Sequence, residues 1–188
     1  MYWWNRVVEF DRKPIDRDLL RGFVLEFTNR LTLIGLLDED RFDLDGYVVF
    51  RNSDVRRWRP VREDSVLVRA LRLKGIKPVR KRGLSIASWP EVLKTANALF
   101  PLIAISREVV HRNACQVGRL FSMNRVSFEL KEILTDGSWD VCYRYKFRDL
   151  SRVEFGSGYA DALARVAAAD AASRPRREKQ AKPEKRRG

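Results

Sequence analysis

The sequence predicts a mainly β chain with a helical insert, an α+β class. The expected architecture is two small antiparallel barrels, a C-terminal helix and a disordered basic tail. Three observations predict it. Short apolar runs cluster in two blocks, residues 21–58 and 116–155. A stretch with helix start and stop signals separates them. The two blocks also echo each other at a fixed spacing: "TNRLTL" from Thr28 returns as "MNRVSF" from Met123.

The elements follow in order. "YWWNRVVEF" reads as a strand and "KPID" as a turn. "GFVLEFT", "LTLIGLL", "GYVVF" and "DVRRW" are short runs rich in Val, Leu, Phe and Tyr, separated by turn residues. That pattern is the signature of short antiparallel strands. "EDSVLVRALRLKG" suits a short helix with Asp64 or Ser65 near its start and Gly75 at its end. "SWPEVLKTANALF" carries a helix start: Ser88 as N-cap, Pro90 in the first turn and Glu91 three residues after the cap. Trp89, Val92, Leu93, Ala96 and Phe100 share one helical face, and Pro101 ends the helix. "LIAISREVV" returns to strand, and four further runs follow from Gln116 to Phe155, with Asp136-Gly137 as a hairpin turn. A last helix begins at Ser157, with Tyr159, Leu163 and Val166 as its apolar face, and ends near Ser173.

The expected organisation is a first barrel (1–62), a basic helical insert (63–101), a second barrel (102–156), a C-terminal helix (157–173) and a tail (174–188). A gapless slide of 95 residues superposes the blocks: Asn29-Arg30-Leu31 on Asn124-Arg125-Val126, and Asp54-Val55 on Asp149-Leu150. A shared register of that length points to an internal repeat.

The first block resembles an Sm-like barrel, a five-stranded SH3-like fold. The register of the family's first motif falls on Gly22, Val24, Phe27, Thr28, Leu31, Thr32 and Leu33. Its second motif falls on Phe50-Arg51-Asn52-Ser53-Asp54-Val55. In the second copy Lys146 takes the arginine position, and Gly118 lies one residue out of register, which requires a shifted turn or a bulge. The resemblance implies an RNA-binding protein rather than an enzyme. Thr28 and Thr32 stand where the family holds its RNA-contacting Asp and Asn. The tandem layout is similar to that of uncharacterised bacterial proteins with two Sm-like repeats, which imply no activity. Edge strands pair between subunits in the family's rings, so two barrels in one chain could pair internally.

Net charge is +13, of which residues 174–188 supply +6, from eight Lys/Arg and two Glu. A basic tail without large apolar residues attracts RNA, DNA or an acidic membrane surface, or serves solubility alone. Basic side chains elsewhere form two clusters. Arg51, Arg56, Arg57, Arg59 and Arg62 lie at the end of the first barrel; Lys74, Lys77, Arg80, Lys81 and Arg82 crowd the insert. With Lys146 they are candidate phosphate contacts, and Trp58 or Tyr47 candidate stacking platforms. Alternatively, Trp58 is a core residue and the arginines blunt a strand edge.

Catalytic and metal chemistry find no support. His111 is the lone histidine and reads as an exposed or capping imidazole. "DEDRFDLDG" lacks calcium-loop spacing, and Cys115 and Cys142 lack zinc-ligand spacing. The two cysteines read as reduced, buried small hydrophobes of a cytoplasmic protein. Neither dinucleotide nor P-loop glycine motifs occur, and "FGSGY" offers only one weak phosphate turn at a helix start. No cofactor, metal or transmembrane segment is expected. Two functions remain: a non-enzymatic protein binding RNA or another polyanion, or an adaptor that holds a protein partner at an exposed barrel edge. The oligomeric state is open.

Overall fold

The computed structural model describes residues 6–112 and 114–180. It is mainly antiparallel β with three α-helices. Strands β1 (Val7–Asp11), β2 (Leu20–Phe27), β3 (Leu31–Asp38) and β4 (Asp43–Arg51) lead into a 3-10 turn, Asn52–Asp54, and β5 (Arg57–Pro60). Helices α1 (Val66–Leu73) and α2 (Trp89–Leu99) follow. Then come β6 (Ile103–Ser106), β7 (Cys115–Met123), β8 (Ser127–Ile133), β9 (Trp139–Lys146), a second 3-10 turn, Phe147–Asp149, and β10 (Arg152–Phe155). Helix α3 (Gly158–Gln180) closes the described chain.

All ten strands form one sheet in the order β5-β1-β2-β3-β4-β10-β6-β7-β8-β9. Each half repeats one permutation, with its fifth strand beside its first. The halves join where β4 pairs with β10, Tyr47–Phe50 against Arg152–Phe155. In hydrogen bonding the two expected barrels are thus one continuous sheet.

The two halves share one strand-pairing pattern, but its register differs from the gapless slide. From β1 to β6, Val8 and Ile103 are equivalent: each lies opposite the strand glycine, Gly22 or Gly118. Across β2–β3 the offset is 96. Bulges fall between Val24 and Glu26 and between Leu120 and Ser122, then between Gly35 and Leu37 and between Lys131 and Ile133. From β4 onward the offset is 95, because Arg51 faces Leu31 as Lys146 faces Ser127. Gly118 is therefore in register with Gly22. A Cβ at Gly22 would lie 2.4 Å from the Gly35 carbonyl oxygen, and one at Gly118 would lie 2.2 Å from the Lys131 carbonyl oxygen. The neighbouring backbone approaches so closely that only hydrogen fits there.

Local signals behave as expected at the helices. The Ser65 side chain accepts from the Val68 N–H, and the Ser88 side chain accepts from the Glu91 N–H. Helix α2 buries Val92, Leu93 and Ala96 completely. It wedges between the outer face of the first half (Leu25, Leu31, Leu33, Val49) and the interior of the second (Ile103, Ile105, Phe128, Leu130) in one apolar cluster. Each large side chain so buried contributes about 1.5–3 kcal/mol. The interior of the first half is a separate cluster of Val8, Phe10, Leu20, Val24, Ile34, Val48 and Phe50.

A buried ionic cluster also ties the halves together. The Arg12 guanidinium, fully buried, donates to both carboxylate oxygens of Glu108 and, at 3.3 Å, to Asp16. Arg152 reaches Asp16 at 3.0 Å and Glu154 at 2.9 Å.

Two further corrections concern the ends and the cysteines. Helix α3 passes the expected end at 173 and runs on to Gln180, with Pro175 inside it. Its buried face is Ala160, Leu163 and Ala167, while Tyr159 and Val166 are exposed. Ala160, Leu163 and Ala167 pack together against Leu102 and Ile133. Residues 1–5 of the first expected strand and 181–188 of the expected tail lie outside the described residues. Cys115 and Cys142 are free thiols, exposed rather than buried. Cys142 lies on an edge strand that no neighbour covers.

Candidate nucleic-acid interface

Two β-corners and two 3-10 turns, one of each from either half, meet at the β4–β10 junction. The β2–β3 corner is built by Thr28, whose hydroxyl accepts from the N–H groups of Arg30 and Leu31 at 3.2 and 3.0 Å. Asn124 does the same at the β7–β8 corner, accepting from Val126 and Ser127 at 2.9 Å each. These side chains close the corners because a short oxygen acceptor can satisfy the N–H groups two and three residues on. Arg30 and Arg125 are left at the corner tips, exposed.

The 3-10 turns carry the next pair. Arg51 ends β4 and points across the junction, donating to the carbonyls of Arg148, at 2.9 Å, and Leu150. Arg148 is itself exposed, and its nearest carboxylate is Asp149 at 3.6 Å. The start of α2 completes the wall with Ser88, Trp89 and Pro90. The result is a cleft of about 490 Å³ lined by Asn29, Arg30, Leu31, Arg51, Ser53, Ala87, Ser88, Trp89, Pro90, Arg125, Phe147 and Arg148. Four arginines line it and no carboxylate does. Among the described residues neither Arg30 nor Arg125 has an acidic partner within salt-bridge distance. The positive end of the α2 dipole adds to the same field. Asp54, beside this wall, has its carboxyl pushed up by burial, against the pull of Arg51 and Arg12. Trp89 is half-buried, its ring held against the shared core. The site can therefore hold phosphates on several guanidiniums around one aromatic face.

Of the residues expected from sequence, Arg51 alone lines this cleft. Arg56 and Arg57 are exposed at the β5 edge. Arg59 is paired with Glu9 at 2.7 Å, and Arg62 with Asp64 at 2.6 Å. Glu9 is buried; burial raises its carboxyl, yet hydrogen bonds from Arg21 and Arg59 hold it below the usual range. The insert's basic segment lies over the first half. Arg80 donates to Glu26 at 2.7 Å and to the Leu84 carbonyl at 2.8 Å, and Lys74 donates to the Arg41 carbonyl at 2.7 Å. Lys77, Lys81, Arg82 and Lys146 are exposed.

The other candidates also find their places. Tyr47 is no stacking platform: its ring packs between Phe100 and Phe155, and its hydroxyl donates to the Val79 carbonyl at 2.7 Å. The glycine turn before α3 is already occupied, since Asp45 accepts from the Gly158 N–H at 2.7 Å. His111 is exposed on the turn after β6. Among the described residues no three His, Cys, Asp or Glu side chains converge on a metal geometry, and no helix is long and apolar enough to cross a membrane.

Sequence reasoning missed Arg30, Arg125 and Arg148. The first two sit inside the very echo that revealed the repeat, where they served as register markers. Their convergence depends on β4 pairing with β10, a junction between residues about a hundred positions apart.

No protein-family model, no curated protein and no solved structure matches this chain.

Proposed function

We propose that this chain is a non-enzymatic nucleic-acid-binding protein that holds a single strand, RNA above all, in the arginine cleft between its halves. On this reading each half is an Sm-like, half-open barrel, and the chain is a pair of them joined edge to edge. The observation that carries the reading is the convergence of Arg30, Arg51, Arg125 and Arg148 around Trp89 without an opposing carboxylate. Guanidiniums neutralise phosphates and release counterions, and an aromatic face stacks any base.

Fluorescence anisotropy with labelled oligo(U), oligo(A) and oligo(dT) tests it. Binding is expected at about 50 mM salt, with affinity falling steeply by about 200 mM. R30E/R125E should abolish most of the affinity and lower the salt slope by about 1.4, since each single-strand phosphate contact contributes about 0.7. R56E/R57E, at the β5 edge, should bind nearly as the parent does, and so should a chain lacking residues 174–188. Absence of binding at low salt refutes the proposal. So does an equal loss in both arginine pairs, which would mean diffuse attraction.

A second reading, a protein adaptor, has one observation in its favour. Tyr143 and Val141 on the open β9 edge are 43% and 61% exposed, whereas Val48, the counterpart of Tyr143, is fully buried beneath β10. If this edge holds a partner strand, V141P should remove a stoichiometric protein that otherwise survives nuclease treatment.

A further inference from the structure

Six equivalent positions are filled in the second half and hollow in the first. In the second half Phe128 and Phe147 pack ring against ring, centroids 5.2 Å apart, and are almost fully buried. Ile103, Ile105, Leu150 and Val153 close around them with no exposure at all, and α2 lies against β6, β7 and β10. The register places Thr32 at the position of Phe128 and Asn52 at that of Phe147. These two also touch, but by a hydrogen bond: the Thr32 hydroxyl donates to the Asn52 side-chain oxygen at 2.7 Å. Two phenyl rings are replaced by two short polar side chains. The space they vacate is a pocket of about 390 Å³, bounded by Phe10, Phe27, Val55 and Trp58 as well as this polar pair. Among the described residues no helix seals it: α1 packs instead with Val7, Phe23 and Leu37 on other positions of β1–β3. Phe27 is 62% and Trp58 47% exposed at its mouth.

We propose that this pocket accepts a planar aromatic ring with a polar edge, specifically a nucleobase of the strand held in the arginine cleft. It is a site distinct from that cleft but rests on the reading of it as a nucleic-acid interface. Three features support the assignment. The second half shows that a ring fits this position of the fold, because its own Phe147 occupies it. The pocket differs from that core position in offering Thr32 and Asn52, so it suits a ring carrying hydrogen-bonding atoms rather than a phenyl group. Finally, pocket and cleft lie on opposite sides of one corner. Leu31, Arg51 and Ser53 face the cleft, while Thr32 and Asn52 face the pocket. Cleft and pocket are adjacent along the chain: Arg30 and Leu31 of the cleft precede Thr32 of the pocket, and Arg51 and Ser53 of the cleft flank Asn52 of the pocket. The volume lies in the lower part of the about 300–1,000 Å³ range of small-molecule sites.

The test imports the second half's plug. T32F/N52F should fill the pocket, and F27A should strip its exposed wall without touching the core. Anisotropy is read with a uridine strand, an adenosine strand and an abasic strand of equal length. The parent should prefer base-bearing strands over the abasic one by about tenfold beyond the contribution of Trp89, the size of one stacked base. T32F/N52F and F27A should each lose that part of the preference and keep affinity for the abasic strand. An unchanged preference in both variants overturns the proposal and leaves the arginine cleft intact. If no strand binds the parent, the cleft reading fails, and the pocket is still tested alone. Free adenosine and uridine are titrated into the ¹⁵N-labelled parent. Saturable shifts of the Trp58 indole N–H, absent in F27A, support the pocket; no shift with either nucleoside overturns it. Should T32F/N52F fail to fold, F27A and the nucleoside titration decide.

Discussion

Replacing Glu108 by alanine should separate the energetics of the junction from its shape. Glu108 is 5% exposed and accepts two hydrogen bonds from Arg12, whose side chain is fully buried. It also lies 3.4 Å from Arg152, and its backbone N–H donates to the Ser151 hydroxyl at 3.0 Å. Truncation leaves Arg12 with Asp16 alone, a partner that Arg152 shares. Breaking one member of a buried ion pair costs about 3–5 kcal/mol. Asp16 remains within reach of both guanidiniums, so the lower bound applies, about 3 kcal/mol. For a chain of this size that shifts the melting temperature by about 6–12 °C. Urea unfolding followed by circular dichroism gives the stability, and the m-value should not change. R12M/E108M, which removes both charges and fills the space with apolar atoms, should recover most of the loss. By contrast E63A, which removes an exposed partner of Arg72, should cost under about 1 kcal/mol. An E108A loss below about 1 kcal/mol refutes the reasoning, since the pair would then be solvated in effect.

Other consequences can be measured on the same samples. Burial would raise the Glu108 carboxyl, but the hydrogen bond from Arg12 and the charges of Arg152 and Arg12 outweigh it and hold the carboxyl below its ordinary range. A depressed folded value means that its stabilisation is present above the unfolded value of about 4.3 and is lost as pH falls through the folded one. Glu154 has the opposite sign, raised by burial and further by the charge of Glu108, so the parent minus E108Q reports Glu108 together with its coupling to Glu154. That difference should shrink as pH drops below about 4, and a pH-independent difference argues against an ionised Glu108. G22A and G118A should each cost about 1–3 kcal/mol, because a methyl group would meet a backbone carbonyl that cannot rotate away; near-neutral values in thermal melts would show that the bulges relax. S88A should cost about 1 kcal/mol through loss of the α2 cap, read as a drop in urea midpoint.

What the sequence makes legible is local. Ser65, Ser88, Pro90 and Pro101 mark helix boundaries because capping and proline geometry act over a few residues. Short apolar runs bounded by turn residues mark β2, β3 and β4 for the same reason. On α3 Leu163 was placed on the buried face, but Tyr159 and Val166 were put there in place of Ala160 and Ala167, because alanine carries little hydropathy signal. Cys142 was misplaced for another reason: the identity of the edge strand depends on strand order, which no local pattern encodes. The arginine cleft belongs to the same class. Arg30 and Arg148 lie far apart in sequence, and only the β4–β10 pairing brings them to one wall.

The off-by-one register explains why the echo pointed both to the fold and away from the site. Sequence identity aligned Asn29 with Asn124, but the corners are built by Thr28 and Asn124, whose side-chain oxygens cap equivalent N–H pairs. One residue of shift in a strand exchanges its two faces. Under the gapless alignment Thr32 faces Ser127, two small polar residues that suggest a conserved solvent-side position. Under the hydrogen-bonded register Thr32 faces Phe128, and Asn52 faces Phe147. Asn52 meets Phe147 under both alignments, because the offset from β4 onward is 95, but only the hydrogen-bonded register also sets Thr32 against Phe128 and so shows missing ring volume where the sister half is solid core. The identity match and the structural match thus compete for the same few residues. The hydrogen-bond ladder decides between them, because its bulges and its two crowded glycines fall at one common offset.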